Sequence, residues 1–229
     1  MNRANLQSIV KLSACQAFLF DLDGTLTDSE PGMMASLDYL VRQLGHTPDP
    51  EFNIRFVLGP PAEEWIRRVL GHYGDTRYEE GVELYRRHQS EGAVLLNSVY
   101  PQIPELLGAL QSSGKRLFVA TAKRTAIAER VVSHFGLRRY FDGVYGSTPD
   151  GSRNNKAVVI ADLLRQQGLT GAQCAMIGDR SYDMRAASEN GLIALGALWG
   201  YGSEVELSEH GAWKCFHTPQ EIAQEVFAR

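Results

Sequence analysis

Two aspartates, Asp21 and Asp23, stand two positions apart where the apolar run Phe18-Leu19-Phe20 gives way to Gly24. If that run is a strand, its period of two turns both carboxylates to one face, and Gly24 lets the backbone bend sharply behind them. The pair can then serve as a nucleophile beside an acid/base. Two acids this close repel, so a metal ion or an incoming cation has to compensate them. An Asp-Gly dipeptide also closes hairpins between apolar segments, but here further polar groups follow later apolar runs: Thr121, then Lys156, then Asp179 with Asp183. Together they form a phosphoryl-transfer set. A carboxylate must have its charge masked before it approaches an anionic phosphate, and acids without soft partners suit Mg2+ better than zinc. Asp21 and Asp179 are the side-chain ligand candidates. The Thr121 hydroxyl and the Ala122 amide can hold nonbridging phosphoryl oxygens, and Lys156 adds a compact positive charge.

Positioning these groups falls to short apolar runs that alternate with longer amphipathic stretches, the pattern of βα units in a parallel sheet. The expected strands are Ala17 to Phe20, Arg116 to Ala120, Gly143 to Tyr145, Cys174 to Ile177 and Ile193 to Leu198. In open parallel sheets ligands sit at the carboxyl ends of the strands, so the residues just after these runs converge on one crevice. The stretch from about Glu30 to Asn97 lacks strand signals and reads as an inserted helical unit. Met34, Leu37, Leu40, Val41 and Leu44 have helical spacing before Gly45, as do Trp65, Ile66, Val69 and Leu70 before Gly71. A third helix is expected over Arg77 to Gln89, and Gly59-Pro60-Pro61 marks a turn. The expected division is residues 1–28 with 98–229 as the core and 29–97 as a cap, with hinges near both junctions.

With 229 residues the chain accommodates a large α/β core plus a small insert. A formal net charge of −4 offers no footprint for a nucleic-acid polymer. Cys15, Cys174 and Cys215 are odd in number and lack zinc spacing, which points to small buried hydrophobes in a reducing cytoplasm. No apolar stretch approaches bilayer length, and Met1 to Gln16 lacks the apolar block of a secretory signal, so a cytoplasmic protein without a membrane partner is expected. His46, His72, His88, His134, His210 and His217 show no paired ligand spacing and receive no catalytic role. Oligomeric state has no signature in the sequence.

Asp21-Leu22-Asp23-Gly24-Thr25, then Thr121, Lys156 and the segment Gly178-Asp179-Arg180-Ser181-Tyr182-Asp183 follow one another in the order of the motifs of the haloacid dehalogenase superfamily of phosphatases, which the chain resembles from about residue 17 to 200. The resemblance implies a Rossmann-like parallel-sheet core with a small α-helical cap inserted after the first strand. It further implies that Asp21 attacks phosphorus to form an aspartyl-phosphate while Asp23 protonates the leaving alcohol and then activates water. The Asp23 backbone carbonyl is expected to join Asp21 and Asp179 around Mg2+, with Asp183 orienting Lys156 or holding an outer water. Taken singly, Thr121 can be a capping hydroxyl, Lys156 a solvated helix residue and Asp183 a partner of Arg180 or Arg185; their order in the chain decides for the shared site.

A haloacid dehalogenase proper needs neither Mg2+ nor Asp23. A sugar phosphomutase uses basic cap residues that have no match here, and a non-catalytic regulator would be expected to lose one of these groups. The implied substrate is a small phosphorylated metabolite. Residues 26–32 and 141–156 resemble a phosphoglycolate phosphatase-like branch that includes nucleoside 5′-monophosphatases. Arg153, Asn154 and Asn155, where a phosphoglycolate enzyme more often carries a proline-containing segment, favour a GMP/IMP-type 5′-nucleotidase, with phosphoglycolate phosphatase as the alternative. For substrate contacts the candidates are Lys123 and Arg124 beside Thr121, and Arg55 and the loop Gly59 to Ala62 in the cap. Glu63, Glu64, Arg67 and Arg68 are expected to form a solvated face with i, i+4 pairs.

Overall fold

The computed structural model describes residues 11–52, 55–58, 62–153 and 155–228. In chain order its elements are β1 (Ala17–Phe20), β2 (Thr27–Asp28), α1 (Glu30–Gln43), α2 (Ala62–His72), α3 (Tyr78–Glu91), β3 (Ser98–Val99), α4 (Ile103–Ser112), β4 (Arg116–Arg124), α5 (Thr125–His134), β5 (Gly143–Ser147), α6 (Lys156–Gln167), β6 (Cys174–Gly178), α7 (Ser181–Glu189), β7 (Ile193–Ala197), α8 (Glu204–Glu209), β8 (Lys214–Phe216) and α9 (Pro219–Phe227). Six strands form one sheet in the order β5-β4-β1-β6-β7-β8, and β2 pairs with β3. The pairings of the six-stranded sheet are parallel, so this is a Rossmann-like α/β fold with a helical insert after its early elements.

Every residue of β1 and β6 is buried, as expected of central parallel strands covered on both faces. Phe18, Phe20 and Phe118 are among the largest fully closed side chains. Leu19, Phe118 and Met176 pack with Val159 and Leu163 of α6 and Met184 of α7. Register then aligns the chemistry. Phe20 lies opposite Val119 on one side and Ile177 on the other, so Asp21, Thr121 and Asp179 all emerge at the carboxyl edge, where the crossovers diverge. The Asp21 amide still belongs to this frame, donating to the Ile177 carbonyl at 2.9 Å.

Strand β4 runs on to Arg124, beyond its expected end at Ala120, and its pairing with β5 shifts between Ala120 and Arg124. The short edge strand β8 has no counterpart in the sequence reading, because Lys214-Cys215-Phe216 is too brief and mixed to stand out as an apolar run.

By compactness the chain divides into residues up to Leu26 with those from Val99 onward, and Thr27–Ser98. In the second unit α1 turns Met33, Leu37, Leu40 and Val41 inward; Met34, expected on that face, is only half-buried. Trp65, Ile66, Val69 and Leu70 of α2 are buried, and the helix continues through Gly71 to His72. The expected i, i+4 pairing is replaced at Glu63, which meets Arg86 of α3, while Arg67 lies 4.5 Å from the Tyr78 ring centroid and Arg68 3.8 Å from that of Phe56. Glu63 and Arg67 thus find partners on another helix. Gly59, Pro60, Pro61 and Asn154, together with the Arg55 side chain, lie outside the described residues. Among the described residues no helix is long and apolar enough to cross a membrane.

Candidate active site

Helix α6 begins at Lys156, with the Asn155 side chain capping its first turn by accepting the Val158 amide at 3.0 Å. A lysine at such a start usually faces solvent, yet Lys156 is buried. Its Nζ lies 2.9 Å from Asp21 Oδ1 and also donates to Asp183 Oδ1. The second Asp183 oxygen accepts the Arg180 amide at 2.9 Å, fixing the carboxylate across the first turn of α7. Asp183 therefore pairs with neither the Arg180 guanidinium nor Arg185; it anchors the lysine.

Asp179 is fully enclosed. Thr25 Oγ1 donates to its Oδ1 at 3.2 Å, and the Tyr201 amide donates to its Oδ2 at 2.9 Å. Glycines make this closeness available: a Cβ at Gly24 would overlap the Asp179 carboxylate, one at Gly200 would overlap its Cβ and the Gly24 carbonyl, and one at Gly202 its backbone oxygen. Trp199 fastens the same loop by donating Nε1–H to the Thr25 carbonyl at 2.9 Å. Sequence reasoning missed Thr25, Gly200, Gly202 and the Tyr201 amide. The glycines bracketing Tyr201 just after an apolar run were the available signal.

The electrostatics are out of balance. Burial, reinforced by the Asp183 and Asp23 charges and opposed by Lys156, pushes Asp21 up to about 7. Burial and the charges of Asp183 and Asp21 raise Asp179 well above the ordinary carboxylate range. Burial alone would lower Lys156, but Asp183 and Asp21 outweigh it and hold the ammonium above its usual value. One lysine thus faces three enclosed carboxylates. Oxygens of Asp21, Asp179 and Asp183 all lie within 4.8 Å of one another. Asp21 Oδ1 has the Lys156 ammonium 2.9 Å away as its charged partner. An all-oxygen donor set with excess buried negative charge fits a hard divalent cation such as Mg2+.

Beside the cluster, Thr121 is buried and its Oγ1 accepts the Lys123 amide at 3.2 Å. Lys123, expected among the substrate contacts, donates Nζ–H to Asp23 Oδ1 at 2.9 Å. Ala122 is half-buried between them, and Arg124 is exposed where β4 passes into α5. Arg153, read from the sequence as a nucleotide-favouring loop residue, is braced instead: its amide donates to Thr148 Oγ1 at 3.0 Å and its Nε lies 3.8 Å from Asp162.

A parallel sheet that gathers acids and a buried lysine at its carboxyl edge, with helices inserted after the early strands, defines a class of hydrolytic enzymes. The chain belongs to the haloacid dehalogenase-like hydrolase family, whose model matches residues 15–191. It is 38% identical over 192 residues to a 5′-nucleotidase of Pseudomonas aeruginosa, covering 84% of this chain and 86% of that protein. It is also 31% identical over 189 residues to a phosphoglycolate phosphatase of Aquifex aeolicus, covering 81% and 86%. Among solved structures it resembles a haloacid dehalogenase-like family hydrolase, SP0104, from Streptococcus pneumoniae (TM-score 0.84, 32% identity, 92% of this chain and 97% of that one). Protein tyrosine kinase A of Mycobacterium tuberculosis also superposes (TM-score 0.79, 32% identity, 94% and 99%).

Proposed function

We propose that this family phosphatase is a Mg2+-dependent phosphomonoesterase that acts on a nucleoside 5′-monophosphate through an aspartyl-phosphate on Asp21. The observation that carries the reading is the convergence of Asp21, Asp179, Asp183 and Lys156 at the end of β1, with Asp23 two residues on. Asp21, Asp179 and the Asp23 backbone carbonyl would hold Mg2+, which supplies the positive charge that lets a carboxylate meet an anionic phosphoryl group.

In the first half-reaction an Asp21 oxygen bonds to phosphorus as the bond from phosphorus to the leaving oxygen breaks, and Asp23 delivers a proton to that oxygen. The Thr121 hydroxyl, the Ala122 amide and the Lys156 ammonium hold the nonbridging oxygens, where charge concentrates. In the second half-reaction Asp23 takes a proton from water, the water oxygen bonds to phosphorus, and the bond from phosphorus to Asp21 breaks. Free Asp21 and inorganic phosphate result. Asp183 keeps Lys156 aimed at Asp21, because its other oxygen is tied to the Arg180 amide.

The nucleotide preference is supported by the higher identity to the 5′-nucleotidase than to the phosphoglycolate phosphatase. Arg153 adds no weight to it, since its contacts brace the loop. Phosphoglycolate is the second reading, favoured by the relative of that name. The test is kcat/KM for GMP, IMP, AMP, phosphoglycolate, hexose phosphates and phosphotyrosine with Mg2+. The expected result is a preference of about tenfold or more for purine monophosphates, of the size that polar recognition of a base supplies. Preference for phosphoglycolate would overturn the nucleotide assignment, and no phosphate release from any ester would overturn the activity.

A further inference from the structure

Lys123 reaches the centre from an unusual stretch of strand. Between Ala120 and Arg124 the pairing of β4 with β5 slips out of register, which releases residues 121–123 from the regular ladder. The slip is built in. Gly146 of β5 lies so close to the Lys123 carbonyl that any Cβ there would overlap it, and the Gly146 amide donates to Thr125 Oγ1 at 3.1 Å just beyond. Lys123 is then held at both ends: its amide donates to Thr121 Oγ1 at 3.2 Å and its ammonium to Asp23 Oδ1 at 2.9 Å. With side chains only 13% and 20% exposed, Lys123 and Asp23 form a partly enclosed pair, better fixed than an open surface salt bridge.

From this geometry we infer that Lys123 is a positioning residue for Asp23, resting on the assignment of Asp23 as the acid/base made above. A carboxylate has two oxygens, and Lys123 occupies one of them. The other is thereby assigned to exchange the proton, first with the leaving oxygen and then with water. Because the same residue also bonds Thr121, the slipped segment sets the acid/base and a phosphoryl-holding hydroxyl at a fixed spacing, the kind of pre-alignment on which proton transfer depends. Lys123 was expected to touch substrate; its contact in the structure is to the enzyme's own carboxylate.

The test is a double-mutant cycle of Lys123→Met and Asp23→Asn, with Lys123→Arg as the conservative variant and Gly146→Ala as a remote displacement of the same segment. IMP and 4-nitrophenyl phosphate are the probes, Mg2+ is saturating, and folding is checked by circular dichroism. Expected is a fall in kcat of about tenfold or more for Lys123→Met with KM within about threefold, the size of losing part of a general acid/base contribution. The loss should be greater on IMP than on 4-nitrophenyl phosphate, whose leaving group needs less protonation. Lys123→Arg should recover most of the rate and Gly146→Ala should reproduce part of the loss. In the Asp23→Asn background Lys123→Met should add less than about twofold, because its effect runs through Asp23. Equal losses in both backgrounds, or a raised KM at unchanged kcat, would overturn the positioning role. If Asp23→Asn itself leaves kcat intact, the acid/base assignment fails and the inference falls with it; if Asp23→Asn lowers kcat and Lys123→Met does not, only the inference falls.

Discussion

Both units of the chain bury an acid beside a cation, and they do so with opposite accounting of charge. In the inserted helical unit Asp75 is nearly enclosed, receives hydrogen bonds from Arg77 Nε and Nη2 and from the Arg77 amide, and lies 2.7 Å from His46 Nε2. Every charge there has a partner, and the hydrogen bonds from Arg77 and His46 hold Asp75 well below the usual carboxylate range. In the core unit three enclosed carboxylates cluster around Lys156, and burial raises Asp21 and Asp179. The first network is complete as folded and serves stability. The second remains short of positive charge, the deficit that the proposed cation and phosphoryl group would fill.

The largest effect that sharpens this contrast is catalytic. Asp21→Asn retains the shape of the residue but cannot attack phosphorus, so kcat for phosphate release is expected to fall by about a thousandfold or more while the circular dichroism spectrum is unchanged. Near-normal turnover in that variant would remove Asp21 from the mechanism.

A matched pair of glycines gives the next effect. Gly24 and Gly45 have nearly the same left-handed φ, 83° and 85°, but a Cβ at Gly24 would enter the Asp179 carboxylate whereas Gly45 has nothing within 4 Å. Gly45→Ala should cost only backbone strain, about 1–2 kcal/mol. Gly24→Ala adds an overlap against an enclosed acid and should cost about 1–3 kcal/mol more. Equal losses in denaturation experiments would mean that the site is more yielding than its packing implies.

The two networks should also respond to pH with opposite sign. Asp21 holds its proton to about 7 in the folded chain but ionises near 4 when unfolded, so in the absence of divalent cations its contribution to stability is lost as pH rises through that window. Asp75 is ionised in the fold well below the ordinary range, so its contribution is present above about pH 4 and is lost as pH falls. Melting temperatures of wild type, Asp21→Asn and Asp75→Asn from pH 3 to 8 should show the Asp75→Asn penalty shrinking toward acid. The Asp21→Asn variant should gain on wild type toward neutral pH. The same sign for both would break the comparison.

Much of the core was legible because central parallel strands are short, continuous apolar runs, and the acids stand directly after them. Ala17–Phe20 matched its expected span, and the ends of β4, β5 and β6 were extended by residues that are polar or glycine except for Ala122. Helices of the insert were legible from spacing, but not their partners: Glu63 meets Arg86 and Arg67 lies against the Tyr78 ring, each on another helix. At the site, residue types pointed to Asp21, Asp179 and Lys156, whereas the Thr25 hydroxyl, the Tyr201 amide and the Lys123–Asp23 pair depend on tertiary approach that periodicity does not encode.

The most direct measurement is isothermal titration calorimetry of Mg2+ into wild type and Asp179→Asn near neutral pH. If the excess buried charge of the core is a cation site, wild type should bind about one Mg2+ per chain and the variant should bind none or far more weakly, since one of a few hard oxygen donors is gone. No binding to wild type, or equal binding to both proteins, would contradict it.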